Sequence, residues 1–146
     1  MLLRVITLLF IINFSPFTLA SDSVKELVND KVSYYFTHSA EKTAKYWSPF
    51  SDAPAPVIDA LKRYESRYGK PISYDTIAIE EVTPRVSIAF VAVNYEKGVT
   101  FLRLQVYLDN NNKWSLMFVS LNPEPFGLVP NIITFSKRFD ENKPTN

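Results

Sequence analysis

ISYDTIAIEEV (72–82), RVSIAFVAVNYE (85–96), VTFLRLQVYLD (99–109) and KWSLMFVSL (113–121) follow one another with only turn-sized gaps between them. All four are rich in β-branched and aromatic residues. They are broken at Pro84, at Glu96–Lys97–Gly98 and at Asp109–Asn112, which are turn-forming stretches. This reading predicts four consecutive antiparallel strands. In the third segment Leu102, Leu104, Val106 and Leu108 alternate with Phe101, Arg103, Gln105 and Tyr107, so its Leu/Val face is expected to meet a helical layer. Continued alternation puts Trp114, Leu116 and Phe118 on one face of the fourth segment, and Met117, Val119 and Leu121 on the other. In the first segment it groups Ile72, Tyr74, Thr76, Ala78 and Glu80 against Ile77 and Ile79. The second and fourth segments are apolar on both faces, which calls for cover on the far side as well.

The residues before the strands read as helices. SDSVKELVNDKVSYYFTH (21–38) opens with capping residues and carries Val24, Leu27, Val28, Lys31, Tyr35 and His38 on one stripe, broadened by Val32 and Phe36. SAEKTAKYWSPF (39–50) holds a short helix or turn that stops by Pro49. Its Tyr46, Trp47 and Phe50 close one end of a core or line a binding surface. VIDALKRYESRY (57–68) repeats Val57, Leu61, Tyr64 and Tyr68 at helical spacing. Pro54 and Pro56 suit its first turn, and Gly69 suits its C-cap. The expected core is Leu61 and Tyr64 against Leu104, Val106 and Phe118.

Beyond the strands, FGLVPNIITF (126–135) is apolar but interrupted by Gly127 and Pro130. It is expected to dock as an extended segment on the exposed side of the sheet, with a homodimer through the sheet as the second reading. Residues 140–146 are expected to be flexible.

The chain starts MLLRVITLLFIINFSPFTLA, with Arg4 before a short apolar run and Ala20 at the end, the pattern of a cleavable signal peptide over 1–20. Roughly eight strongly apolar residues are too few to span a bilayer about 30 Å thick, so no stable membrane anchor is expected. Residues 21–139 are then one domain, located in a periplasm or secreted. Of 16 basic and 15 acidic residues, only Arg4 lies in that leader, so the remainder is balanced. Balance of this kind argues against nucleic acid as the main partner. With no cysteine, stability must come from packing instead of disulfides.

The chemistry-bearing residues are sparse. His38 is the only histidine, which with the lack of cysteine argues against a metal site, and no glycine-rich loop calls for a cofactor. Asp109–Asn112 has calcium-compatible oxygens without a calcium loop's spacing, and a polar hairpin is the preferred reading. Asp75, Glu80, Glu81 and His38, with Tyr34, Tyr35, Tyr64, Tyr68 and Tyr74 as donors, would serve proton transfer only if they converged in one pocket. Arg85 and Arg103 are either anion contacts or ordinary surface cations. No catalytic residue is assigned. The binding candidates are Tyr46, Trp47, Phe50, Arg103 and Tyr107.

KRYESRYGKPISYD (62–75) followed by VAVNYEKGVTFLRLQVYLDNNNKWSLMFVSLNP (91–123) resembles the NTF2-like branch of the cystatin-like α+β folds over residues 23–122. The shared features are the Tyr-Gly junction before the sheet, the Tyr-x-x-Gly hairpin at Tyr95–Gly98 and the Lys113–Trp114 pair opening the last strand. The resemblance implies an α+β fold with N-terminal helices packed on a curved four-stranded antiparallel sheet, a cone with a cavity at its wide end. It also implies functions from ketosteroid-isomerase-like proton transfer to accessory binding, and fold alone does not choose among them. The residues favour a noncatalytic exported accessory or binding protein that recognises a protein partner, with a carrier of a small apolar ligand as the alternative. N-terminal sequencing of exported protein is expected to start at Ser21, whereas a membrane-integrated species retaining residues 1–20 would overturn the leader reading.

Overall fold

A computed structural model describes residues 17–48, 54–125 and 128. Three helices, α1 (Phe17–Tyr35), α2 (Ala40–Trp47) and α3 (Ala55–Tyr68), precede four strands. The strands are β1 (Pro71–Thr83), β2 (Val86–Tyr95), β3 (Gly98–Leu108) and β4 (Trp114–Asn122). They form one antiparallel meander in the order β1-β2-β3-β4, with the helices on one face. This is the expected α+β arrangement. Helix α1 is continuous through Ala20–Ser21, the expected cleavage point. Among the described residues no helix is long and apolar enough to cross a membrane. The expectations for Phe50, for docking of 126–135 and for the flexible end concern residues that, Leu128 apart, lie outside those described.

The cone does not hold. Among the described residues the sheet is open, with β1 and β4 at its two edges, and it does not curl toward closure. Bulges are the usual device for bending a sheet, and the central β2–β3 ladder contains none from Val86↔Tyr107 to Tyr95↔Gly98. The register shifts fall instead in the two outer pairs. The Tyr-Gly junction, the hairpin and the Lys-Trp pair are therefore local turn and capping features, and the NTF2-like or cystatin-like assignment is corrected to an open α+β sandwich of helices on a four-stranded sheet.

The helices are anchored by side chains that sequence spacing predicts well. Val24, Val28, Val32 and Tyr35 form the buried stripe of α1, while Leu61 and Tyr64 do so for α3. Ser39 caps α2, its hydroxyl accepting from the Lys42 amide at 3.4 Å. Trp47 is only 1% exposed and donates its indole N–H to the Lys31 carbonyl at 2.7 Å, fastening α2 to α1. From the sheet, Ala89, Val91 and Val93 of β2 meet Leu102, Leu104 and Val106 of β3 in the same core.

The junction between α3 and the β2–β3 hairpin fixes how the two layers sit. Gly69 closes α3 with φ +84°, its amide donating to the Glu65 carbonyl at 2.9 Å. At the hairpin tip the Lys97 amide donates to the Tyr68 carbonyl at 2.8 Å, and Glu96 donates to Lys70 at 3.1 Å. Gly98 is required by close approach: a Cβ there would lie 2.5 Å from the Tyr68 ring. The β3–β4 turn is also self-contained. Asp109 accepts from the amides of Asn111 and Lys113 at 2.8 and 2.9 Å, and these contacts lower its pKa. Its carboxylate is thus engaged by the turn, as expected of a polar hairpin.

Two strand faces differ from simple alternation. Across β3–β4 the register passes from Gln105↔Phe118 to Val106↔Leu116, leaving Met117 as the extra residue. Leu116, Val119 and Leu121 consequently face the helices, and Phe118 turns outward with 54% exposure instead of joining the core. In β1, shifts at 71/73, 76/78 and 81/83 let Tyr74 and Ile79, five residues apart, pack against the same core. Ile72 and Val82, the residues skipped at two of these shifts, are exposed. One inserted residue reverses the face of everything after it.

This arrangement predicts opposite outcomes for two residues expected to share the core. Leu104, 0% exposed, should cost about 2–5 kcal/mol on Leu104→Ala, through lost contacts and a cavity. Phe118→Ala should stay within about 0.5 kcal/mol, as for most surface changes. Urea unfolding of both variants checks this, and equal losses would refute the bulge assignment.

Candidate functional site

A cleft of about 270 Å³ opens where the end of α1 passes the end of α3. One wall is the α1–α2 connection, residues 35–39, because α1 stops at Tyr35 and the chain must turn before Ser39 starts α2. Glu65, on the last turns of α3, faces it, and Lys70 and Pro71 complete the rim beyond the Gly69 cap. Phe36 and Pro71 supply apolar surface, and Thr37, His38 and Ser39 supply polar groups. No ion pair joins Glu65 to Lys70. The one among the described residues is the exposed Lys62–Glu41 pair, which links α3 to α2.

Behind the cleft lies a chain of buried hydroxyls. The Tyr35 and Tyr95 oxygens are 3.3 Å apart, and Thr100 donates to Tyr95 at 3.4 Å. Burial raises the pKa of Tyr35, helped by its hydrogen bond with Tyr95 and by the charge of, and a hydrogen bond to, the Glu65 carboxylate. Burial also raises Tyr95, against the lowering effect of its bonds with Thr100 and Tyr35. The chain keeps three polar groups satisfied inside an apolar core.

His38 lies between the cleft and an aromatic stack on the α1–α2 surface. Its ring stacks on Tyr34 at 3.6 Å with planes 2° apart, and Tyr34 stacks on Tyr46 at 4.2 Å. The Lys31 ammonium caps the stack, 3.4 Å from the Tyr46 centroid. Tyr46 donates its hydroxyl to Asp30, which pushes its pKa up to about 12. Lys31 is lowered by partial burial, with Asp30 opposing. His38 Nδ1 lies 3.0 Å from the Tyr34 carbonyl and 2.9 Å from the Thr37 hydroxyl.

The binding candidates do not form one site. Tyr46 is partly exposed in the stack, whereas Trp47 is in the core. Arg103 and Tyr107 belong to the opposite face of the sheet, where Arg103 pairs across from Phe90 and Ser120. Arg85 braces the β3–β4 turn, donating to the Leu108 carbonyl at 3.1 Å and to Asn110 at 2.6 Å, with Tyr107 stacked nearby. The acid–base candidates are divided too. Asp75 pairs across from Ala92 on the outward face and accepts from Asn94 at 2.8 Å, away from His38 and the core-facing tyrosines. Among the described residues no group of three metal-ligating side chains comes together. Glu65 and Lys70, which do line the cleft, carry a sequence signal only in their positions either side of the α3 cap, where an ordinary surface charge is the default reading of both.

The free edges also differ chemically. β1 carries Asp75, Glu80 and Glu81, begins at Pro71 and is interrupted by three register shifts. β4, Trp114-Ser-Leu-Met-Phe-Val-Ser-Leu-Asn122, has no charged residue, and Met117 and Phe118 are 50% and 54% exposed on it. Charges, proline and bulges blunt an edge against added strands, so β1 is guarded and β4 is much less so.

The buried tyrosines give a pH expectation. Their folded pKa values lie above the unfolded value of 10.0, so their contribution is complete below about pH 10. Above it the unfolded chain loses protons that the folded chain keeps, and stability falls. Urea midpoints should therefore drop above about pH 10, with a shallower slope in Tyr35→Phe; an unchanged slope would show that Tyr35 titrates alike in both states.

In comparison with known proteins, the chain matches no family model, and neither curated proteins nor solved structures provide a significant match.

Proposed function

We propose that the protein is a noncatalytic binding protein, acting in a periplasm or outside the cell after loss of residues 1–20, that recognises another protein by strand addition at β4. The observation that carries this reading is the uncharged edge of β4, unpaired among the described residues, with Met117 and Phe118 exposed on it. An added strand gains main-chain hydrogen bonds from the edge, while alternate side chains select the sequence. Desolvating a charged edge would be costly, so β1 suits this role less well than β4. The partner segment should be extended, neutral and apolar at alternate positions, to match the outward Phe118 without burying an unpaired charge.

The noncatalytic part is supported by the separation of the expected acid and base groups. Asp75 and His38 lie on different sides of the sheet, so they cannot flank one substrate. The apolar-carrier alternative has less support, because among the described residues the cleft at the ends of α1 and α3 is open and has charged side chains at its rim.

A photo-crosslinking residue replacing Met117, followed by mass spectrometry of the product, tests the reading. The expected product joins β4 to an extended segment of a different protein, and Met117→Lys should reduce complex formation without shifting the unfolding midpoint. Crosslinks to β4 of a second copy would replace it with the homodimer through the sheet. Crosslinks confined to residues 126–146 of the same chain would show that β4 is covered internally and would overturn it.

A further inference from the structure

One run of aromatic rings crosses the core without a break and draws on four elements. Trp47 of α2 meets Tyr35 of α1 at 5.7 Å between ring centroids, Tyr35 meets Tyr95 of β2 at 6.4 Å, and Tyr95 meets Tyr68 of α3 at 6.1 Å. All three separations are those of rings in contact. Trp47, Tyr35 and Tyr95 are buried, and the run comes to the surface at half-buried Tyr68, whose ring lies under the Arg67 guanidinium. Every ring after Trp47 is a tyrosine. Phenylalanine, of which the chain has 11, would fill the same space without burying a hydroxyl that needs a partner. The partners are built in: the Tyr35 and Tyr95 oxygens lie 3.3 Å apart, Thr100 donates to Tyr95, and the Glu65 carboxylate accepts from Tyr35. The core therefore holds oxidisable rings in contact, with a base on the first phenol.

From this geometry we infer that the row conducts oxidising equivalents: an electron vacancy placed on Trp47 by a one-electron oxidant of the hydroxyl- or carbonate-radical class moves through Tyr35 and Tyr95 to Tyr68 at the surface. The oxidant takes one electron from the indole and is reduced to its anion. The indole N–H stays on the Lys31 carbonyl, which is too weak a base to remove the proton. Tyr35 then passes an electron to the indole cation radical and its phenolic proton to Glu65, which restores Trp47 and leaves a neutral tyrosyl radical beside a neutral acid. Tyr95 hands an electron and its proton to the Tyr35 oxygen. Tyr68 finally reduces the Tyr95 radical and releases its own proton to water, while the proton held by Glu65 returns through Tyr35 to Tyr95. The net change is an intact Trp47, a tyrosyl radical at Tyr68 within reach of a dissolved reductant, and one proton in solvent.

The chain has two tryptophans, so Trp114→Phe leaves Trp47 as the only one. Flash photoionisation of that variant, at wavelengths tyrosine does not absorb, tests the inference by transient absorption. The tryptophan radical should decay at a rate independent of protein concentration while the tyrosyl radical grows in at the same rate. Tyr35→Phe keeps the ring and should slow this decay by about tenfold or more, and Glu65→Gln, which lacks the base, should do the same. Ascorbate should clear the tyrosyl radical about tenfold more slowly in Tyr68→Phe, where the vacancy stays in the core. Urea unfolding establishes that each variant is folded, and should Glu65→Gln not fold, Tyr35→Phe and Tyr68→Phe carry the comparison. An unchanged decay in Tyr35→Phe or in folded Glu65→Gln, a decay that scales with protein concentration, or equal ascorbate clearance in Tyr68→Phe would each overturn the inference. None of these results depends on whether β4 has a protein partner.

Discussion

The docking of the β2–β3 hairpin tip onto the end of α3 sets the relation between the two layers. Gly69 turns the chain out of the helix through a conformation that a side chain would strain, and Gly98 lets the hairpin backbone approach the Tyr68 ring. The Lys97 and Glu96 amides, which a hairpin tip would otherwise leave to water, are satisfied by carbonyls on either side of that turn. With this contact in place, Tyr95 enters the core under Tyr35, and Glu65 and Lys70 are held at the rim of one cleft.

The second organising feature is the distribution of irregularity. The central β2–β3 ladder is regular, and the shifts are displaced to its two neighbours. The middle of the sheet therefore stays open and presents Ala89, Val91, Leu102 and Leu104 as a continuous floor to the helices. At the margins, the shifts send Ile72, Val82, Met117 and Phe118 outward. Those four are the large hydrophobic side chains exposed among the described residues, so exposure and irregular pairing coincide. On β1 they are accompanied by carboxylates that discourage pairing. On β4 they are not, so the two edges differ in charge.

The aromatic cluster shows how one short stretch can serve two purposes. Neighbouring Tyr46 and Trp47 point in different directions from α2, as helical geometry requires. Trp47 closes the core and satisfies its N–H on Lys31, while Tyr46 joins Tyr34, His38 and the Lys31 ammonium at the surface. A cluster of aromatics in sequence could have meant either role. The helix divides it.

Local pattern alone determined the order of three helices and four strands, the Gly69 cap, the polar Asp109 turn and the burial of Leu61, Tyr64, Leu104 and Val106. Each follows from a period or a backbone preference acting over a few residues. Only the tertiary structure decided that the sheet stays open, because closure depends on where bulges fall across strand pairs, and a bulge inserts a residue that looks like any other in the strand. The same insertion moved Phe118 from the expected core to the surface. The cleft was equally invisible: Tyr35, His38, Glu65 and Lys70 are brought together by the α3–hairpin junction, and nothing in their spacing along the chain records a meeting made by three separate turns. Sequence carries periodicity within an element; the meeting of different elements is set by the packing of all of them at once.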